Sequence, residues 1–393
     1  MFKRLKRLFS MTAENTFSGL SVTVSNDAGQ SVTPNTVVTD PKIWRGLNLI
    51  ARDVARLPLD VFRRDGDSRE KDTKHPAYSL LNRVPNTYQT GYKFRELLTL
   101  HAIVYGNGFA QIVRQGSGVP VALVPIHPSR VTISLNQVTG NKSYIIDSRT
   151  KLMDTDILHI FGLGFDGLRG MGLCEYGAQA LGLELAARQF GSLFFAQGSM
   201  GSFVIYHPSN LSNTAKKNIV NAVNELHSSN KNAHKAILLS DALKIEPLSI
   251  NAKDAQLIEL RKFSVREIAN LLCVPPHKLG DDSSTSFSSL EQENQSYLDQ
   301  SLDPWMRNWE SECWAKLLTE KQKTNDTHFF EFNRGALLRT DLSARFSAYA
   351  TAVTNGWMSR DEVRRRENMN PIPGGKGSEF ILPLNMATVD QQQ

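Results

Sequence analysis

No run of about 18 apolar residues occurs anywhere in the chain, so no segment reads as a membrane span. Cysteine is scarce: Cys174, Cys273 and Cys313 are the only three in 393 residues. An odd, widely spaced set gives neither a disulfide framework nor zinc-ligand spacing, and it points to a reducing compartment. Each of the three adjoins apolar or helical residues and reads as a small core hydrophobe. Charge of one sign is nowhere massed. The net charge is +6, and Arg364, Arg365 and Arg366 form the only basic triple, read as an exposed helix face. Such a balance permits contact with nucleic acid without requiring it. The basic start, Met1 to Phe9, is followed by no apolar stretch and no cleavage site, which argues against a secretory signal. It is either a frayed, solvated end or an amphipathic segment that touches anionic lipid or nucleic acid. There is no internal repeat.

Motifs of catalysis are also missing. There is no G-x-S-x-G and no H-E-x-x-H, and the nine histidines show no metal-ligand spacing. His75, His127 and His207 each precede a proline and read as turn entries. The segment Gly162 to Gly167 does match G-x-G-x-x-G after a strand, the context of a dinucleotide site. Its loop runs on through Arg169 to Gly172 instead of entering a helix at the third glycine, and the acidic residue near the expected spacing, Glu184, lies in mid-helix. A nucleotide-binding enzyme built on this loop is therefore the disfavoured alternative. Gly374 to Ser378 has the composition of a phosphate loop, but it lacks the upstream glycine and the preceding strand, and it reads as a linker. Asp281 and Asp282 lie in a Ser/Thr loop with no apolar pocket to split their pKa values, so a catalytic dyad is not expected there. The expectation is a non-enzyme with no cofactor and no metal.

What is present is an α+β pattern of long helices and short strands. Residues before Val37 are rich in Ser, Thr, Asn and Gly and carry little periodicity, which predicts mobility. Asp40 and Pro41 open a helix as N-cap and first residue, with Ile43, Leu47, Ile50, Val54 and Leu57 on one face. Pro58 ends it, and Leu59 to Arg63 reads as a strand. His75 to Tyr105 reads as two helices broken at Val84 to Asn86. Strands follow at 109–114, 121–125, 131–135, 143–147 and 157–161. Glu175 to Gln197 reads as a long helix rich in small residues.

A compact β-α-β-β insert comes next, too small for much core of its own, which predicts oligomer contacts. Lys253 to Leu272 is a second long helix. On it, Lys253, Arg261, Lys262 and Arg266 are either a solvated face or a weakly basic lining. It runs into a rigid corner at Val274 to Pro276 and a polar loop, Asp281, Asp282, Ser283, Ser284, Thr285 and Ser286. Ser288 and Glu291 then form a capping box. Leu298, Leu302, Trp305, Trp309, Cys313 and Leu317 line one face of a helix that Pro304 should kink. Trp305, Trp309 and Trp314 on one helix could be a base-stacking platform, but Trp305 and Trp309 sit at helical spacing beside leucines and fit core packing better. The order is a polar loop held out from a stiff helical scaffold. A strand at 329–332 and two helices, Leu342 to Thr354 and another from Ser359, complete the chain.

Several segments taken in order resemble the portal proteins of tailed bacteriophages, the head-to-tail connectors of the siphophage type. They are Ile43 to Pro58, His75 to Asn82 with Pro85 and Asn86, Tyr105 to Ala110, Asp166 to Gly172, Val274 to Pro276 with Leu279 and Gly280, and Leu290 to Gln292. Asn355 and Gly356, Glu362 to Arg364, and Asn370 with Pro371 extend the resemblance, which covers Asp40 to Pro373. The resemblance implies a ring of about twelve subunits at one capsid vertex that passes double-stranded DNA without hydrolysing ATP.

It further implies a division into a flexible segment (1–39), a wing (40–171), a first stem helix (172–200) and a clip (201–251). A second stem helix (252–276), a tunnel loop (277–288), a kinked helix with return to the wing (289–335), a helical crown (336–373) and a flexible tail (374–393) follow. By the same resemblance Asp281 to Ser286 face DNA, the four basic residues of the second stem helix line the channel, and Lys231, His234 and Lys235 meet the packaging motor. The implied partners are double-stranded DNA, terminase, the major capsid protein and head-completion or tail adaptor proteins, with no membrane. The implied place is the virion, after assembly in the host bacterial cytoplasm.

Overall fold

The computed structural model describes residues 14–18, 26–66, 68–196, 203–206, 212–218, 221, 244–247, 264–281, 293–334, 342–367 and 369–381. It divides into two compact units, Met1–Phe332 and Asn333–Gln393.

The first unit starts from Pro41–Arg56, a helix whose opening is fixed by its first residues. The Asp40 carboxylate accepts from the backbone N–H of Lys42 (2.8 Å) and Ile43 (3.3 Å), and Pro41 supplies a ready-made helical φ. Ile43, Leu47, Ile50 and Val54 are buried, as their spacing predicts. Burying each is worth about 1.5–3 kcal/mol relative to exposure. This face packs on the helix Gly91–Tyr105, which follows the short helix Pro76–Asn82. Two of the three histidine-proline pairs behave as turn entries, with His75 Nδ1 accepting from Ala77 N (3.2 Å) and His127 Nδ1 from Ser129 N (3.3 Å); His207 lies outside the described residues.

All strand pairings are antiparallel. In chain order the strands are β1 (Glu14–Ser18), β2 (Leu59–Asp65), β3 (Ser68–Lys71), β4 (Asn107–Arg114), β5 (Pro120–Ile126), β6 (Val131–Asn136), β7 (Lys142–Ile146), β8 (Thr150–Met153), β9 (Ile157–Phe161), β10 (Phe203–Tyr206), β11 (Lys244–Pro247) and β12 (His328–Phe332). They form sheets β1-β6-β7-β8, β5-β4-β9, β12-β2-β3 and β10-β11. Phe109, Ile126, Val131, Ile133, Tyr144 and Ile157, drawn from the first two sheets, form one apolar cluster.

The N-terminal stretch departs from the expected mobility. Glu14–Ser18 pairs with β6 because that strand presents a free edge, and a capped helix at Pro34–Val37 follows it. Val32 and Val37 are buried, so the polar composition hides two core anchors. The exposed strands β3 and β8 carry too few apolar residues to betray themselves by alternation.

The long helix expected from Glu175 is two pieces, Leu173–Tyr176 and Ala178–Ala196, parted at Gly177. Any Cβ at Gly177 would sit 2.8 Å from both the Leu173 carbonyl and the Leu271 side chain. Of the expected insert, β10 and β11 form an antiparallel pair and residues 213–218 are helical. The expected strand at Ala236 to Leu239 and the Ser288–Glu291 capping box lie outside the described residues.

Pro304 acts differently from a mid-helix kink. Tyr297–Leu302 is a π-helical turn, in which Asp303 N donates to Leu298 O, and Pro304 is the second residue of the helix Asp303–Leu317 that follows. The wider turn absorbs the missing N–H and the steric demand of the proline ring. It also shifts the buried face. Met306 takes the core position expected for Trp305, which is half-buried. Trp309 is fully buried against Phe94, with Nε1 donating to Thr99 Oγ1 (3.1 Å), and is a core residue.

The second unit holds the helices Leu342–Thr354 and Arg360–Arg366. Ser359 and Glu362 form the expected capping box, at 2.8 and 3.2 Å. Part of the segment expected to be a flexible tail is tied down. The buried Asp361 accepts from Ile372 N, its own N–H donates to Gly377 O, and Arg360 reaches Lys376 O (2.8, 2.8 and 2.7 Å). Gly377 must be glycine-sized, since a Cβ there would lie 2.0 Å from the Asp361 carboxylate.

Candidate nucleic-acid interface

The polar loop that begins at Asp281 leaves from a built corner. The helix over residues 264–271 ends when Cys273 turns left-handed (φ +53) and Val274 N bonds back to Ala269 O (2.8 Å). That corrects the reading of Cys273 as a core hydrophobe: it is exposed, whereas Cys174 and Cys313 are buried. Val274 and Pro275 run extended, Pro276–Leu279 makes a tight 3-10 turn, and Gly280 (φ +99) releases the chain.

This corner is seated on Pro41–Arg56. A Cβ at Gly46 would lie 2.5 Å from Leu272 Cδ1, so the glycine lets the two segments close. Asp281 is drawn back by Arg266, whose Nε lies 2.9 Å from its carboxylate. The chain returns beside its point of departure: Glu293 meets His277, Ser301 Oγ donates to Cys273 O, and Tyr297 donates to Asp53 (3.0 Å). Lys278 lies over the Tyr297 ring at 5.0 Å. Burial pushes the Asp53 carboxyl up against the opposing pull of Arg56 and Tyr297, and burial pushes Lys278 down. Asp281 and Glu293, the described residues on either side of 282–292, are thus both held to this corner.

A second clamp holds the helices that lead to the corner. Lys42 Nζ is 2.5 Å from Glu184 and 2.7 Å from Ser264 Oγ, and Ser264 donates to the same carboxylate. Glu184 and Ser264 are buried, so this trio fastens Pro41–Arg56, Ala178–Ala196 and the helix over residues 264–271 to one another. The sequence gives Glu184 in mid-helix as the only hint of it.

Of the residues expected at the interface, Asp281 and Arg266 are brought together as a pair. Asp282, Ser283, Ser284, Thr285, Ser286, Lys253, Arg261, Lys262, Lys231, His234 and Lys235 lie outside the described residues.

The glycine-rich loop is a backbone joint rather than a cradle for phosphates. Gly162 N bonds to Gly106 O (2.9 Å), and Cβ atoms at Gly106 and Gly170 would each lie 2.3 Å from the other residue's carbonyl oxygen. Asn107 Oδ1 accepts both Gly170 N–H (2.9 Å) and His159 Nε2–H (3.0 Å), while Tyr144 OH faces His159 Nδ1 (3.0 Å). His159 is buried and held neutral, chiefly by burial and then by Lys142 and Lys316. The helix N-terminus that follows is already filled, because Glu175 caps Gly172 N (3.3 Å). The N–H groups of Gly162, Gly170 and Gly172 are thus spent on the protein itself. Among the described residues no group of three or more His, Cys, Asp or Glu could hold a metal ion. Nor is any described helix long and apolar enough to cross a membrane.

The described residues thus form a mixed helix and strand scaffold whose buried polar groups hold its joints together. Comparison with known proteins makes this specific: residues 41–368 match the phage portal protein model, and the chain belongs to that family. It is 29% identical over 382 residues to a probable portal protein of Streptomyces phage phiC31, covering 93% of this chain and 82% of that one. It is likewise 29% identical over 350 residues to the portal protein of Enterobacteria phage HK97, covering 88% and 82%. The fold is shared with the crystal structure of an HK97-family phage portal protein from Corynebacterium diphtheriae (TM-score 0.61, 18% identity, 80% of this chain and 100% of that one). It is also shared with a chain in the neck of a native gene transfer agent particle computed with C12 symmetry (TM-score 0.54, 20% identity, 93% and 99%). Nothing in these comparisons supports the nucleotide-binding alternative.

Proposed function

We propose that this portal protein forms a ring of about twelve subunits at one vertex of a capsid, and that double-stranded DNA passes through the ring during packaging and ejection. The observation that supports the DNA-facing part is the fixed corner from which this segment departs, where Arg266 holds Asp281 and His277 meets Glu293. A loop anchored at both ends on a rigid helix can touch a moving duplex without being carried along by it. Its Ser, Thr and Asp composition suits sliding, since many basic phosphate contacts would hold DNA in place.

In this reading 40–171 with 289–335 form the wing, 172–200 and 252–276 the stem, 201–251 the clip, 277–288 the tunnel loop and 336–373 the crown. Lys253, Arg261 and Lys262 are a sparse channel lining. Arg266 serves chiefly to hold Asp281. Lys231, His234 and Lys235 on the clip meet the packaging motor, a terminase, which supplies the ATP hydrolysis that the portal does not perform. The major capsid protein and head-completion or tail adaptor proteins are the remaining partners, and assembly takes place in the bacterial cytoplasm.

Excision of Asp282 to Ser286 tests the assignment. Rings should still form, and packaging or retention of DNA in particles should fall at least about tenfold by counted DNA-filled heads. Loss of rings would instead make the loop an assembly element.

A further inference from the structure

The joint that closes β9 onto the following helix also projects an apolar tip. Met171 N bonds to Leu163 O (2.9 Å), and the Asp166 carboxylate caps Leu168 N (2.8 Å) and Arg169 N (3.0 Å), so residues 163–171 are a stapled loop. A Cβ at Gly164 would lie 1.9 Å from Arg169 O, which leaves the loop one way to fold. On this fixed backbone Leu163 is 90% exposed and Phe165 95% exposed. Two large apolar side chains held in water by an ordered loop carry a cost that only a partner removes.

The same unit carries a groove of about 560 Å³ on the outer face of Pro41–Arg56. Trp44 and Tyr92 give it aromatic walls, and Arg45, Arg52 and Arg56 give it positive charge. Arg52 and Arg56 are paired within the subunit, with Glu96 (3.2 Å) and Asp53 (3.3 Å). The Arg45 guanidinium makes no hydrogen bond or ion pair with another described residue. Trp, Tyr and Arg are the residues that dominate binding energy at interfaces.

We infer that the Leu163–Phe165 tip of one subunit seats in the Trp44–Arg45–Tyr92 groove of the next copy of this chain. Phe165 lies between the aromatic walls with its ring beside the Arg45 guanidinium, a cation–π match, while Asp166 stays with its own loop, held by Leu168 N, Arg169 N and the Arg169 guanidinium. Knob and groove are different surfaces of one unit, so the contact is head-to-tail, the kind that closes into a ring. The inference rests on the ring proposed above and names its seam.

The test uses the full chain with Cys273→Ser, which removes the exposed thiol. Paired cysteines at the tip and in the groove (Phe165→Cys with Asn48→Cys) should give, on mild oxidation of assembled rings, a ladder of covalent oligomers that neither single variant gives. In parallel, Phe165→Ser should raise the concentration needed for assembly about tenfold or more while leaving the melting temperature of the monomer unchanged. Rings that form from Phe165→Ser at the wild-type concentration, with no ladder from the paired variant, would overturn this seam and leave the ring reading standing. A wild-type protein with no species beyond a dimer at any concentration would overturn both.

Discussion

Gly106 is the residue on which the joint depends most. It sits at φ +79, and a Cβ there would lie 2.3 Å from Gly170 O, an atom of the backbone that cannot swing away. Gly106→Ala should therefore cost more than the ~1–2 kcal/mol of left-handed strain alone, read as a lowered midpoint in urea with unchanged slope. Several histidines set the response to acid. Burial, with His127 adding to it, pushes His101 down to about 4 from the ordinary 6.5, and burial also lowers His75 and His159. The unfolded chain then binds more protons than the folded one, so stability rises with pH through this window. For His101 this contribution is fully present above pH 6.5 and is lost as pH falls toward 4, at about 1.4 kcal/mol per unit. Denaturation midpoints measured at pH 7 and pH 5 should separate, and His101→Leu should narrow the gap.

At the level of helices and strands, Lys42, Glu184 and Ser264 make a prediction that no propensity could give. Lys42→Met strands a buried carboxylate and should destabilise by about 3 kcal/mol, while Lys42→Met with Glu184→Leu should recover much of the loss. A double-mutant cycle on unfolding free energies checks this, and simple additivity would show that the trio is no clamp. The same elements show what sequence can and cannot carry. Pro41–Arg56, Leu342–Thr354 and the capped start at Ser359 were legible because their signals are local: a cap, a proline, a 3.6-residue period. The π turn at Tyr297–Leu302 was not, since Pro304 announces that a helix must adjust and leaves the form of the adjustment to packing. β1 was hidden because its stability comes from the edge of β6, far along the chain. The corner from Cys273 to Gly280 was legible as rigid. The clamps that make it a mount, Arg266–Asp281 and His277–Glu293, join residues with no shared period and became visible only in three dimensions.

Among the described residues, the buried polar groups Asp53, Asn107, His159, Glu184 and Ser264 are engaged in internal joints and clamps. That pattern fits a protein whose work is to hold a geometry while something else moves, and it accords with the portal match over residues 41–368. In the ring proposed above, the exposed tip at Leu163 and Phe165 would meet the groove at Arg45 of the next subunit. Assembly is therefore the property on which the rest depends. Electron microscopy of the purified protein, with two-dimensional class averages, reads it at once. Rings with a central hole and roughly twelve-fold symmetry are expected. Monomers or dimers alone across the accessible concentrations, even after co-expression with the capsid proteins, would contradict the proposal that this chain builds a DNA conduit.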